Sequence, residues 1–258
     1  MGLFSSDKVQ WKKDNILLVN GVRFYLARNF VELQTVQSSN KQFLLGKPRW
    51  LVEKYLKLLS STPTKNIFEL GILKGGSVAL YHAYCKPSKL VAVELSTKPV
   101  AALEDYIVKK ECRDTIKPYY GINQADRKVL SILEDEFPGR DIDLVVDDAS
   151  HLYHESKESF NMIFPYLRPG GLYIIEDWAW SHTSLWQGEN AKWSDKPALT
   201  NLIFEIIMAC PSTTDMIEEI VIDKNNALIY KGDSAIQSNE FDISKSYINR
   251  GKEFVPFL

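Results

Sequence analysis

Apolar and polar positions follow two rhythms along the chain. Residues 16–19 and 22–25 are apolar runs separated by Asn20-Gly21, the dipeptide best suited to a two-residue hairpin turn. Pro48 then opens an amphipathic helix to about residue 59, with Leu51, Tyr55 and Leu58 on one face. From Asn66 onward, runs of strand length alternate with helical patterns. The predicted strands cover 67–70, 90–94, 116–121, 142–147 and 172–176; the predicted helices cover 77–84, 99–109, 127–136, 154–167 and 198–209. Strands joined by helical crossovers make a parallel sheet covered on both faces. Two further strands, 216–222 and 227–230, are separated only by Asp223-Lys224-Asn225-Asn226. That link is too short for a crossover, so they pair as an antiparallel hairpin at one edge. The pattern predicts an α/β, Rossmann-like fold with a mostly parallel seven-stranded sheet ending in an antiparallel hairpin. Residues 1–62 are expected to form a hairpin-and-helix extension serving as a lid or oligomer contact, ahead of a main domain over 63–258.

Composition narrows the class. Of the 258 residues 45% are apolar and 25% charged, as in ordinary globular chains, which excludes disorder and coiled coil. Thirty-one Lys plus Arg against 33 Asp plus Glu give a net charge of −2, so no basic surplus recruits nucleic-acid phosphates. Cys85, Cys112 and Cys210 are too few and too scattered for a disulfide framework or a zinc site and suit a reducing compartment. No apolar run reaches the length of a membrane span. Residues 1–6 show no secretory apolar core, though they match the short, loose pattern for Gly2 myristoylation. A cytoplasmic protein with no nucleic-acid or membrane partner is expected.

The first predicted strand of the alternating region runs into Glu69-Leu70-Gly71-Ile72-Leu73-Lys74-Gly75-Gly76-Ser77. Glycines there permit a sharp turn and a close ligand approach, at the strand end where open α/β sheets bind ligands. The spacing is G-x-x-x-G-G, neither the G-x-G-x-x-G of dinucleotide sites nor a P-loop, and Glu69 would repel a polyphosphate. A ligand with a cationic part and an amino-acid or nucleoside part suits the turn better. Glu94 ends the next strand, where a carboxylate can accept both hydroxyls of a ribose, although a lone strand-end acid is more often simply solvated. Together, the E-x-G-x-x-x-G-G-S turn and the acid 23 residues after Gly71 point to S-adenosylmethionine. This order of motifs resembles the class I methyltransferases.

The fourth strand of the run ends in Val146-Asp147-Asp148-Ala149-Ser150-His151 and the fifth in Ile175-Glu176-Asp177-Trp178. If the two strands are neighbours, about 4.8 Å apart, their carboxylates converge and repel unless a cation lies between them. Oxygen ligation selects a hard ion: Mg2+, or Ca2+ or Mn2+. An unperturbed imidazole titrates at about 6.5, so a histidine such as His151 can take the proton of a hydroxyl poised to accept a methyl group. Set against this, carboxylates at strand ends often cap helices, and histidines in turns are often plain surface residues. Asp147 is expected to point away from Asp148, because consecutive strand residues face opposite ways.

The D-D-A-S-H segment followed by R-P-G-G-L-Y-I-I-E-D-W resembles the macrocin and mycinamicin family of macrolide-sugar O-methyltransferases. Cephalosporin-hydroxylase-like and rhamnosyl O-methyltransferase proteins share the pattern. The resemblance covers residues 66–178 and implies a methyltransferase domain within 63–258 that uses S-adenosylmethionine and Mg2+. It implies metal ligation by Asp148, Glu176 and Asp177, with His151 as base and Asp148 as a catalytic and cofactor-side residue. It further implies cofactor contacts from Glu69, Gly71, Gly75, Gly76, Ser77 and Glu94, and from Asn123 and Gln124 in a stretch similar to the family's G-D-Q-x-D. Ala149 stands where the family has Gly, and Asn123 where it has Asp. The long N-terminal auxiliary domain of the macrolide enzymes is not evident, so their assembly does not carry over.

Trp178, Trp180, His182, Trp186 and Trp193 follow within 16 residues. They form either an acceptor wall, from Trp178, Trp180, His182 and Trp186, or a satellite core that packs the loop. His154 is expected at the start of its helix, and His82 lies mid-helix. The apolar tail, 254–258, docks on its own domain or across a dimer, and a homodimer or higher homo-oligomer stays open. The sequence thus points to an Mg2+-assisted O-methyltransferase acting on a hydroxyl of a sugar or other polyketide- or macrolide-like small molecule. The alternatives are a metal-independent methyltransferase of the same fold and a non-catalytic S-adenosylmethionine-binding accessory protein.

Overall fold

The computed structural model describes residues 8–236 and 241–257, so the Gly2 pattern lies outside the described residues. The chain divides into two compact units, residues 1–121 and 122–258. The division falls inside the β/α run.

The first unit opens with a four-stranded sheet: β1 (Val9–Lys13), β2 (Ile16–Val19), β3 (Val22–Leu26) and β4 (Phe43–Leu45), in that order. The predicted hairpin is β2–β3. It closes at the Val19↔Val22 pair, with Asn20 at φ 46° and Gly21 at φ 79°, the two left-handed residues of a type I′ turn. β1 escaped the hydrophobic pattern because it is an edge strand, half-exposed at Val9, Gln10 and Trp11. Between β3 and β4 lies α1 (Phe30–Thr35), capped by the Asn29 side chain accepting from the Glu32 N–H. α2 (Arg49–Leu59) follows Pro48 and buries Leu51, Val52, Tyr55, Leu56 and Leu59. Then come β5 (Asn66–Leu70), α3 (Gly76–Cys85), β6 (Lys89–Glu94), α4 (Ala101–Lys109) and β7 (Ile116–Tyr120), with β5–β6 and β6–β7 parallel.

The second unit continues with α5 (Lys128–Glu136), β8 (Ile142–Asp147), α6 (Tyr153–Ile163), β9 (Leu167–Glu176), α7 (Thr200–Ser212), β10 (Ile217–Ile222) and β11 (Asn226–Lys231). β8 and β9 pair in parallel, whereas β11 is antiparallel to both β9 and β10. The seven-stranded sheet has the order β10-β11-β9-β8-β5-β6-β7. This is the expected mostly parallel α/β fold with a terminal antiparallel hairpin. β8 has Leu144, Val145 and Val146 at zero exposure, each contributing roughly 1.5–3 kcal/mol on burial. α6 stops earlier than its pattern suggested. Pro165 has no N–H to continue the ladder, and Phe164–Tyr166 tighten into a 3-10 turn. β9 begins before 172, at Leu167, with a register shift against β8 between Ile142 and Leu144.

Candidate active site

In the first unit the chain leaves β5 through Gly71 (φ 93°), Leu73 (φ 50°) and Gly75 (φ 77°) before entering α3. Gly76 is required by packing, since a Cβ there would lie 2.0 Å from the Leu44 carbonyl oxygen. Ser77 sits half-buried in the first turn of α3, and no side chain caps that helix. Glu94 reaches back from the end of β6. Its Oε2 accepts from the Ile72 and Leu73 N–H groups at 3.0 and 2.9 Å, and its Oε1 from the Ser96 N–H at 2.9 Å. The predicted ribose acceptor therefore also ties the turn together. Glu69 is fully buried in β5.

The second unit carries the chemical motifs. Asp147 ends β8 at 2% exposure and faces α6, accepting from Gln124 Nε2 (3.3 Å), Ser159 Oγ (3.2 Å) and the Tyr173 hydroxyl (3.4 Å). Burial pushes its carboxyl up to about 6, against the opposing pull of nearby His151 and of the Ser159 and Tyr173 hydrogen bonds. Gln124, buried as well, also accepts the Ser150 N–H at 2.8 Å and donates to Ser159 Oγ at 3.0 Å. Its amide thus fastens the tip of β8, the turn beyond it and α6 to one another. Asn123 beside it is exposed, and its Oδ1 accepts the Ala125 N–H at 2.9 Å.

Asp148, the first residue past β8, is half-buried at the strand tip. His151 Nε2 lies 3.7 Å from Asp148 Oδ1. Asp177, the exposed residue just past β9, completes a group with these two. One ligand atom each from Asp148, His151 and Asp177 lies within 4.8 Å of the others. Two carboxylates at such a separation repel by roughly 1 kcal/mol in water and about 3 where the surface lowers the effective dielectric. His151 (φ 57°) and Asp177 (φ 52°) both adopt the left-handed backbone, which costs a non-glycine residue roughly 1–2 kcal/mol. Ala149, by contrast, is not among the positive-φ residues, so this position makes no demand for glycine. Glu176 does not join the group. It is the last residue of β9, 2% exposed, and pairs in register with Asn226 of β11. The left-handed turn at Asp177 directs only the second acid of the Glu-Asp pair into the cluster.

The aromatic loop is a packed assembly. Trp186 and Trp193 stack with centroids 5.0 Å apart and planes 9° apart, and Trp180 meets both edge-on at 5.3 and 5.2 Å. Lys192 Nζ lies 4.2 Å from the Trp193 ring centre. Trp178 Nε1 donates to the Asp223 carbonyl at 2.7 Å, and Trp180 Nε1 to the His151 carbonyl at 2.6 Å. His182 Nε2 lies 2.6 Å from Thr200 Oγ1. The stacked tryptophans pack on one another while staying half-exposed, and two indole N–H groups serve as struts. The tail docks within its own unit: Phe257 N–H donates to Asn201 Oδ1 at 3.0 Å, and Asn201 Nδ2 donates to the Phe257 carbonyl at 2.7 Å. His154 is exposed at the start of α6, and His82 Nδ1 lies 2.8 Å from the Tyr106 hydroxyl.

Sequence reasoning missed the bracing roles of Gln124, Ser159 and Tyr173 around Asp147. The signal was a pair of serines, Ser156 and Ser159, on the buried stripe of the helix. The Trp180–His151 strut left none, since a side chain reaching a carbonyl 29 residues away has no local pattern.

Residues 68–178 match a family model described as a methyltransferase domain. A segment of 46 residues is 50% identical to demethylmacrocin O-methyltransferase of Streptomyces fradiae, covering 18% of this chain and 11% of that protein. A longer segment of 114 residues is 29% identical to 8-demethyl-8-alpha-L-rhamnosyl tetracenomycin-C 2'-O-methyltransferase of Streptomyces olivaceus, covering 44% and 27%. The chain thus matches about a tenth to a quarter of the length of these relatives. Among solved structures, the MycE methyltransferase from the mycinamycin biosynthetic pathway, in complex with Mg, SAH and mycinamycin VI, matches with a TM-score of 0.56. The identity is 22%, over 76% of this chain and 52% of that one. The chain has the Rossmann-like fold of class I methyltransferases and resembles the macrolide-sugar O-methyltransferases.

Proposed function

We propose that the protein is an S-adenosylmethionine-dependent O-methyltransferase that modifies a hydroxyl of a sugar or related polyketide- or macrolide-type small molecule, assisted by a hard divalent cation. The observation that carries this reading is the convergence of Asp148, His151 and Asp177 in a chain whose residues 68–178 match a methyltransferase domain. Two carboxylates beside an imidazole fit Mg2+ or Mn2+: the acids supply hard oxygen donors and their mutual repulsion favours an intervening positive charge. Asp148 and Asp177 would hold the ion. When bound, it supplies Lewis-acid polarisation of an acceptor oxygen.

The chain's own groups account for the rest. His151 stands within the same cluster and takes the proton that the acceptor hydroxyl loses as it becomes an ether. Asp147, buried and braced by Gln124, Ser159 and Tyr173, fixes the strand end from which Asp148 projects. The Gly71–Ser77 turn and Glu94 would receive the amino-acid and ribose parts of S-adenosylmethionine. Glu94 keeps acceptor capacity for a ribose hydroxyl, because each carboxylate oxygen has more than one lone pair. Asn123 is assigned to the cofactor side, and Gln124 to holding the turn. Trp186 and His182 are assigned to the acceptor side. An acceptor with two adjacent oxygens, a vicinal diol, suits a site built on two carboxylates.

The test is transfer of labelled methyl from S-adenosylmethionine to a panel of hydroxyl-bearing sugars and glycosides, with Mg2+ and with excess chelator. Labelled product in Mg2+ that disappears with chelator is expected. Equal transfer in chelator would favour a metal-independent enzyme. Cofactor binding by calorimetry without transfer to any acceptor would favour an accessory protein.

A further inference from the structure

Trp180 joins the aromatic loop to the turn that carries His151. Its indole N–H donates to the His151 carbonyl at 2.6 Å, a short and therefore strong contact for a neutral pair. The ring that presents this donor is held between the edges of Trp186 and Trp193, which stack on each other. The donor thus comes from a rigid three-ring block. Its acceptor belongs to a residue with φ 57°, a backbone state that persists only where the surroundings enforce it. Within two residues of His151 on its C-terminal side, the Leu152 N–H is also engaged, by Ser150 Oγ at 3.2 Å. The peptide unit between His151 and Leu152 is therefore held at both edges, its oxygen by Trp180 and its N–H by Ser150. With that plane held, the backbone of His151 is restrained at the point from which its imidazole reaches Asp148, at 3.7 Å.

We infer that Trp180 is a positioning residue for His151: its N–H holds the strained turn so that the imidazole stays within the Asp148–Asp177 cluster. The inference rests on the proposed transfer reaction for its kinetic consequences, but the placement itself is a property of the fold. It separates Trp180 from the acceptor wall and ties the order of the 178–196 loop to the base. A loop that comes undone removes the strut, so His151 is held only while the tryptophan block is assembled.

Trp180→Phe keeps a flat ring in the block and deletes the N–H. Two measurements on the full chain test the inference. The first is a double-mutant cycle on methyl transfer, with Trp180→Phe made alone and in a His151→Ala background. If Trp180 acts through His151, kcat falls about tenfold in the first case, with the KM for S-adenosylmethionine within about twofold, and the residual rate changes by less than about twofold in the second. An equal loss in both backgrounds overturns the inference. The second is histidine-selective 15N spectroscopy with unaltered circular dichroism as the check on folding. The His151 amide and ring signals are expected to move while those of His82 and His154 stay in place. Unmoved His151 signals overturn the inference. Should the wild-type chain show no methyl transfer, the proposed function falls and the spectra alone decide the placement.

Discussion

The glycine turn after β5 and the acidic turn after β8 occupy equivalent places at strand ends, yet they handle polar groups in opposite ways. At the glycine turn the one nearby strand-end acid, Glu94, is met by three backbone N–H groups, and Gly76 follows from a backbone carbonyl that leaves no room for a Cβ. At the acidic turn the buried Asp147 is met by side-chain donors from Gln124, Ser159 and Tyr173. The half-buried Asp148 is gathered with Asp177 and His151, and two members of that group have left-handed backbones. The first region stabilises itself. The second concentrates like charge and strain that a cation and a reacting hydroxyl would relieve, a pattern typical of chemical centres.

The largest expected effect is on the acidic turn. Asp148→Asn should lower methyl transfer by about a thousandfold, several kcal/mol of transition-state stabilisation, while leaving the melting temperature within a few degrees. A loss confined to stability would erase the contrast. Gly76→Ala should do the reverse. A Cβ placed 2.0 Å from the Leu44 oxygen forces the backbone apart, costing about 3 kcal/mol in denaturant unfolding or preventing folding. Normal stability in that variant would mean the turn is looser than the packing implies.

A smaller effect sharpens the same point. Asp177→Gly removes a carboxylate from a left-handed position and puts there the residue that tolerates it. Stability should hold or rise by up to about 1 kcal/mol, read by urea unfolding, while transfer falls. A destabilised variant would show that Asp177 serves the fold. The smallest effect concerns His82 in α3. Burial, with a lesser contribution from Lys110, lowers its pKa below the ordinary 6.5. The folded state then binds fewer protons than the unfolded one, so this stabilisation is present above the unfolded value and is lost as the pH falls through that value toward the folded one. The melting temperature should drop between pH 7 and pH 5, and His82→Gln should shrink that drop.

Much of this was legible from local pattern. The strand–helix alternation, the Asn20-Gly21 hairpin and the final antiparallel pair are written in periods of two and of about 3.6 and in turn residues, which are short-range signals. The pairing of Asp148 with Asp177 was also legible, because strand ends bring motifs together. Which acid of the Glu176-Asp177 pair lies nearest Asp148 and His151 was not. Consecutive acids at a strand end face opposite ways unless the backbone turns, and only the φ of Asp177 decides which one reaches the cluster. Gln124 was placed by resemblance on the cofactor side. Its buried amide bonds Asp147, Ser159 and Ser150, long-range partners that no spacing rule specifies. β1 and α1 were missed because a half-exposed edge strand and a six-residue helix with no buried residue carry little hydrophobic periodicity.

The central claim is that Asp148 and Asp177 share a divalent cation beside His151. Calorimetric titration of the full chain with Mn2+, alone and after Asp148→Asn, tests it most directly. One site per chain that vanishes in the variant is the predicted result; no binding, or binding that survives the loss of Asp148, would contradict it.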